Sequence, residues 1–121
     1  MPKTLPTIDI SAPICCAPVS AAPLDDEAAL EIALRLKALG DPARIKLLSM
    51  LLTDEPGEGI CTCDLAAAVG LTEATTSHHL GQLRKAGMVV PERRGMNVYY
   101  QARPESLQAL CSVLGANTGC C

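Results

Sequence analysis

The sequence predicts a mainly α-helical domain with one small β-hairpin, and three observations point there. Helix starts and stops punctuate most of the chain: Asp41-Pro42, Thr72 and Pro104 read as starts, and Gly40, Gly70 and Gly87 as stops. One segment, "MVVPERRGMNVYYQAR", reads instead as two β runs around a turn centred on Arg94-Gly95. Size is the third. The 121 residues make one domain, with no Trp or Phe and only Tyr99 and Tyr100 as aromatics, so the core must come from Leu, Val, Ile, Met and Ala. A chain of this length buries only roughly 60–70% of its unfolded surface, and dimerisation is expected to add to that.

Residues 1–23 hold five of the nine prolines and little periodicity, and read as a flexible arm. In "LDDEAALEIALRLKALG" the acids come first and the bases follow, which suits a helix dipole. Leu30, Ala33, Leu34 and Lys37 recur at helical spacing, giving a first helix over roughly 25–39. Asp41 caps a second, roughly 42–53, with Pro42 at its first position. "DEPGEG" is a loop, and Ile60 to Thr62 reads as a short strand. A third helix spans roughly 63–69. Thr72 then caps a fourth over roughly 73–86. The last runs over roughly 104–114, and "ANTGCC" is a loose tail.

The net charge of −3 argues mildly against a polyanionic partner, but its distribution does not. Between His78 and Arg103 stand five Lys/Arg and one acid, whereas Thr53 to Asp64 hold four acids and no base. A basic stripe on an acidic protein is a phosphate footprint. Two helices joined by "GLT" and followed by a hairpin are the parts of a winged helix-turn-helix, with Gly70 supplying the turn. The second helix of such a unit enters the major groove. Leu80 and Leu83 fall on its buried side, and Ser77, His78, Gln82 and Lys85 on its exposed side. Arg93 and Arg94, at the tip of the hairpin, are placed for phosphates or the minor groove.

"LKALGDPARIKLLSMLL", "CTCDLAAAVGLTEATTSHHLGQLRKAGMV" and "RRGMNVYYQA" together resemble the ArsR/SmtB family of metal-sensing repressors, over about residues 30–114. The resemblance implies a homodimer built on the first and last helices. It also implies binding of a palindromic operator without ligand, and release on metal binding. It carries over Thr72, Thr75, Ser77 and His78 as DNA contacts, while His79 reads equally well as packed against the domain. Where the family often has Ser-Gln this chain has Thr72-Glu73; the glutamate repels phosphate and can accept from cytosine N4.

Seven cysteines, at 15, 16, 61, 63, 111, 120 and 121, are an odd number in a chain with no signal-like or membrane-spanning segment. That argues against a disulfide framework and for a cytoplasmic protein that binds metal or senses redox state. Thiolates suit Zn(II), Cd(II), Pb(II), Cu(I) and trivalent arsenic. The "Cys-Thr-Cys-Asp-Leu" box resembles the metal-binding box of the family's helix-3 sensors, whose ligands combine it with arm cysteines. Cys15 and Cys16 lie on the arm, and the eight residues after them reach up to ~27 Å. That is enough to cross to a second subunit. Two arm thiols with one of Cys61 and Cys63 make a pyramidal site for As(III) or Sb(III), which is the favoured reading. With both, they make a four-thiolate site for Cd(II), Pb(II) or Zn(II).

A thiol redox sensor using the same four cysteines and a structural zinc module stay open as alternatives. The family's other site uses Asp and His on the last helix. "ESLQALCSVLG" has neither, so that site is expected to be absent. Cys111 is expected at the dimer interface, and Cys120 and Cys121 read as a second site, a part of the first, or a spare tail. Neither a Cys-x-x-Cys nor a nucleophile with a base is present, so no catalytic residue is assigned.

Overall fold

A computed structural model describes residues 8–15 and 18–115. Five helices and three strands follow one another: α1 Asp26–Leu39, α2 Pro42–Leu52, β1 Ile60–Cys61, α3 Thr62–Val69, α4 Glu73–Lys85, β2 Val89–Arg94, β3 Asn97–Ala102 and α5 Pro104–Leu114. These match the expected elements to within a residue or two.

Local chemistry explains most of the boundaries. The Asp25 carboxylate accepts from the Ala28 amide at 2.8 Å and Asp41 from that of Ala43 at 2.8 Å, so α1 and α2 start where an acid can satisfy free N–H groups. Thr72 does the same for α4, accepting from the Thr75 amide at 3.1 Å. Gly70 ends α3 at φ +73°, a left-handed cap that glycine adopts without a Cβ penalty. α3 is capped differently: the acceptor is the sulfur of Cys61.

The sheet is antiparallel with strand order β1-β3-β2. The expected hairpin is present, with Val89 opposite Ala102 and Arg94 opposite Asn97. The short strand expected at Ile60 is also present, and its pairing with the hairpin was not expected: β1 adds to β3 with Ile60 opposite Tyr100 and Cys61 opposite Tyr99. Leu47, Leu65, Leu80, Leu83, Met88 and Leu110 are fully buried between the helices and the sheet. The aliphatic core foreseen from composition is therefore shared by α2, α3, α4 and α5, with Tyr100 closing it on the sheet side.

The arm differs from the loose tether expected of it, over the residues described. Ile14 is 6% exposed and belongs to the core. Arg35, itself 2% exposed, donates from Nη1 to the carbonyl of Glu31 and from Nη2 to that of Ala12, both at 2.9 Å. The Val19 amide donates to the Val113 carbonyl at 2.9 Å, tying the arm to α5. Ser11 lies so close to Gly87, at φ +74°, that a Cβ there would stand 2.2 Å from the Ser11 carbonyl oxygen. The Ser11 hydroxyl and amide both donate to Asp9, and hold its carboxyl below the usual range. A buried cation bonded to a chain carbonyl and a buried isoleucine hold this segment down.

Candidate metal box and nucleic-acid interface

Cys61 sits where β1 becomes α3. Its side chain is buried, and its sulfur accepts from the Asp64 amide at 3.3 Å. Cys63 is exposed in the first turn of α3, and the two sulfurs are joined as a disulfide across a Cα–Cα distance of 5.4 Å. The ligand atoms of Cys61, Cys63 and Asp64 lie within 4.8 Å of one another. Once reduced, the box therefore offers two soft sulfurs and one carboxylate to a thiophilic ion. Asp64 stands in the Cys-Thr-Cys-Asp-Leu box of the sequence but was not expected there as a ligand.

Of the other two expected ligands, Cys15 is exposed and free but does not join this cluster. Cys16 lies outside the described residues, as do Cys120 and Cys121. The four cysteines are thus not gathered at one point by the described part of a single chain. Cys111 is half-buried and free on α5.

The expected nucleic-acid face is built on α4 and the wing. α3 packs against α4, and Thr72 in the turn between them and Thr75 in the first turn of α4 are both exposed. The Thr72 hydroxyl also donates to that of Thr75 at 3.0 Å, so both are partly engaged in the cap. Ser77, His78, Lys85 and Arg93 are exposed, and Gln82 is half-buried. His79 is turned inward: its Nδ1 accepts from Arg44 Nε at 3.1 Å, which is the packed reading of that residue. Beside α4 lies a cleft of about 840 Å³, lined by His78, Gln82 and Lys85 on one side and by Lys37 of α1 and Ile8 and Asp9 of the arm on the other. The docked arm thus shares a cleft with the outer face of α4.

Arg94 is placed otherwise than its sequence position suggested. It is ion-paired with Glu92, donates to the Glu58 carbonyl at 2.6 Å and the Gly57 carbonyl at 3.3 Å, and stacks 4.6 Å from the centre of the Tyr99 ring. Three of the five N–H donors of Arg94 are thus engaged within its own chain. Of the pair at the tip, Arg93 is the exposed cation.

Helix-turn-helix and a three-stranded wing define this fold as a winged helix-turn-helix. The description "bacterial regulatory protein, arsR family" matches residues 41–90. The chain is 33% identical to ArsR2 of Halobacterium salinarum over 87 residues, covering 72% of this chain and 70% of that protein. It is 38% identical over 78 residues to the arsenic resistance transcriptional regulator ArsR1 of Pseudomonas putida, covering 64% and 59%. Among solved structures it resembles the homodimeric winged helix-turn-helix DNA-binding domain Mb0332 of Mycobacterium bovis, with a TM-score of 0.60, 26% identity, and 75% and 83% of the two chains covered. The protein belongs to the ArsR family of bacterial regulatory proteins. The match spans between 45% and 62% of the length of the first curated relatives. Among the described residues no helix is long and apolar enough to cross a membrane.

Proposed function

We propose that the protein is a metal(loid)-responsive transcriptional repressor: a homodimer that holds operator DNA when free of ligand and releases it when As(III) or Sb(III) binds cysteine thiolates. The observation that carries this reading is the position of the Cys61 and Cys63 sulfurs, at the first turn of a helix that packs directly on α4. An ion drawn into that box acts on the N-cap of α3, and α3 is the support of the DNA-reading helix. Cys15 and Cys16 complete the pyramid, supplied by an undocked arm or by the partner subunit. The name of the Pseudomonas relative supports arsenic as the inducer.

Thr72, Thr75, Ser77, His78, Gln82 and Lys85 form the face toward the major groove, and Arg93 reaches the backbone from the wing. Ligand and DNA then weaken each other by the same factor, about 5–150-fold for an ordinary coupling of 1–3 kcal/mol.

A second reading is favoured by one observation, the disulfide between Cys61 and Cys63. On it, oxidation of these thiols is the signal. A gel shift on the protein's own promoter separates the two, with arsenite, Cd(II) and peroxide added in turn. Release by arsenite supports the metalloid reading. Release by Cd(II) alone moves it to the four-thiolate site, and release by peroxide alone replaces it with the redox reading.

A further inference from the structure

We infer that the metal box acts on the wing as well as on α4, and that Arg94 is the clasp that couples box to wing. The inference rests on the metalloid-responsive reading above.

β1 is the start of the box and also an edge strand of the wing. Cys61 pairs in register with Tyr99, and the Thr62 hydroxyl donates to the Val98 carbonyl at 3.3 Å. No loop separates the sulfur of Cys61 from the sheet that carries Arg93. Cys61 also caps α3, and its sulfur accepts from the Asp64 amide even while bonded to Cys63, so an ion that draws the sulfur from this position pulls on the helix start and on the backbone at 60–62. A two-residue strand held by β3 cannot shift without β3 following or the pairing breaking.

Arg94 decides which. It stands at the end of β2, and its guanidinium crosses β3 over the Tyr99 ring to the carbonyls of Gly57 and Glu58, just before β1. Glu92, two residues back on β2, fixes its Nε side. One planar fork therefore joins all three strands' ends: β2 by the covalent chain, β3 by the ring, and the approach to β1 by two carbonyls. Gly59, between those carbonyls and the box, is at φ +74°, and a Cβ there would stand 3.3 Å from the Tyr100 carbonyl oxygen. The loop is pressed on β3 from this side as well. With Arg94 in place, 57–61 and the wing move as one body. Without it, β1 can follow the ion and leave the wing behind.

A lysine cannot replace this clasp, because an ammonium is a point charge and lacks the fork that spans two carbonyls, a carboxylate and a ring face. A phosphate contact, by contrast, would tolerate lysine. That difference sets the test. Full-length wild type, Arg94→Ala, Arg94→Lys and Arg93→Ala are titrated onto a fluorescent promoter duplex with thiols reduced, with and without As(III), at several salt concentrations. As(III) binding is measured separately by thiol–arsenic absorbance.

The clasp predicts that Arg94→Ala binds promoter within about twofold of wild type without As(III), keeps its salt slope, and binds As(III) equally well. Its affinity ratio with and without As(III) nonetheless falls at least about fivefold, and Arg94→Lys does not restore it. Arg93→Ala behaves in the opposite way: its unliganded affinity and salt slope drop by about one phosphate contact, and its ratio stays. A wild-type ratio in Arg94→Ala overturns the inference. So does a lost salt slope in Arg94→Ala that lysine restores, which makes Arg94 a phosphate contact. Wild type that stays on DNA with As(III) bound overturns the metalloid reading, and the clasp with it.

Discussion

The sulfur of Cys61 stands 3.3 Å from the amide nitrogen of Asp64, where a helix usually meets a serine, threonine or aspartate oxygen. One thiol is thus both a structural cap and a candidate ligand, and whatever binds it acts on the helix start. Substitutions separate the two uses. Cys61→Ser keeps a cap of the preferred kind, so its stability in urea is expected within about 1 kcal/mol of wild type, while Cys61→Ala loses about 1 kcal/mol more. Both are expected to hold promoter DNA and to ignore As(III). A Cys61→Ser protein that still responds would assign the thiolate role to Cys63 alone.

Cys63 is exposed and caps nothing. Cys63→Ser is expected to unfold within about 0.5 kcal/mol of wild type. Its As(III) response decides the ligand count. Retained As(III) release with lost Cd(II) binding means that Cys63 belongs to a four-thiolate site only.

The arm is held by Ile14 and by the Arg35–Ala12 bond. Ile14→Ala is expected to cost about 2–4 kcal/mol, as for an aliphatic core residue, and to expose the segment before α1 to protease. An unchanged urea midpoint would mean that the arm is not docked in solution. Docking matters to function because the same segment lines the cleft beside His78 and Lys85 and carries Cys15.

The adjacent histidines are predicted to divide their labour. His78 is exposed on α4, while His79 accepts from Arg44 across to α2. His78→Ala is expected to weaken promoter binding by about 1–3 kcal/mol and leave stability within about 0.5 kcal/mol. His79→Ala is expected to lose about 1 kcal/mol of stability, because Arg44 Nε loses its acceptor and only the Nη1 bond to the Ala38 carbonyl is left. Paired anisotropy and urea titrations check both, and equal effects of the two on DNA affinity would contradict the assignment.

What could be read in advance follows the range of the interaction. The caps at Asp41 and Thr72, the Gly70 turn and the Arg94-Gly95 hairpin are decided by residues a few positions apart, and the helix-turn-helix with its wing came from them directly. The short strand at Ile60 was legible too, but its pairing with Tyr99 and Tyr100 was not, because two residues leave no periodic trace of their partner. The docked arm was missed for a like reason: proline spacing argued for a loose segment, while the burial of Arg35 against a carbonyl 23 residues away outweighed it. Arg94 stood beside Arg93 as an equal in sequence. Only the fold shows that its donors reach a loop 36 residues earlier. The cysteine box was visible by residue type, whereas the cap role of Cys61 and the nearness of Asp64 needed the backbone.

Promoter binding by the full-length protein, with every thiol kept reduced by a phosphine and As(III) added to saturation, bears most directly on the claim that thiolate-bound metalloid releases the repressor. The predicted result is a fall in DNA affinity of about 5–150-fold that the double variant Cys15→Ser/Cys16→Ser abolishes without losing DNA binding. Undiminished affinity at saturating As(III) would contradict it.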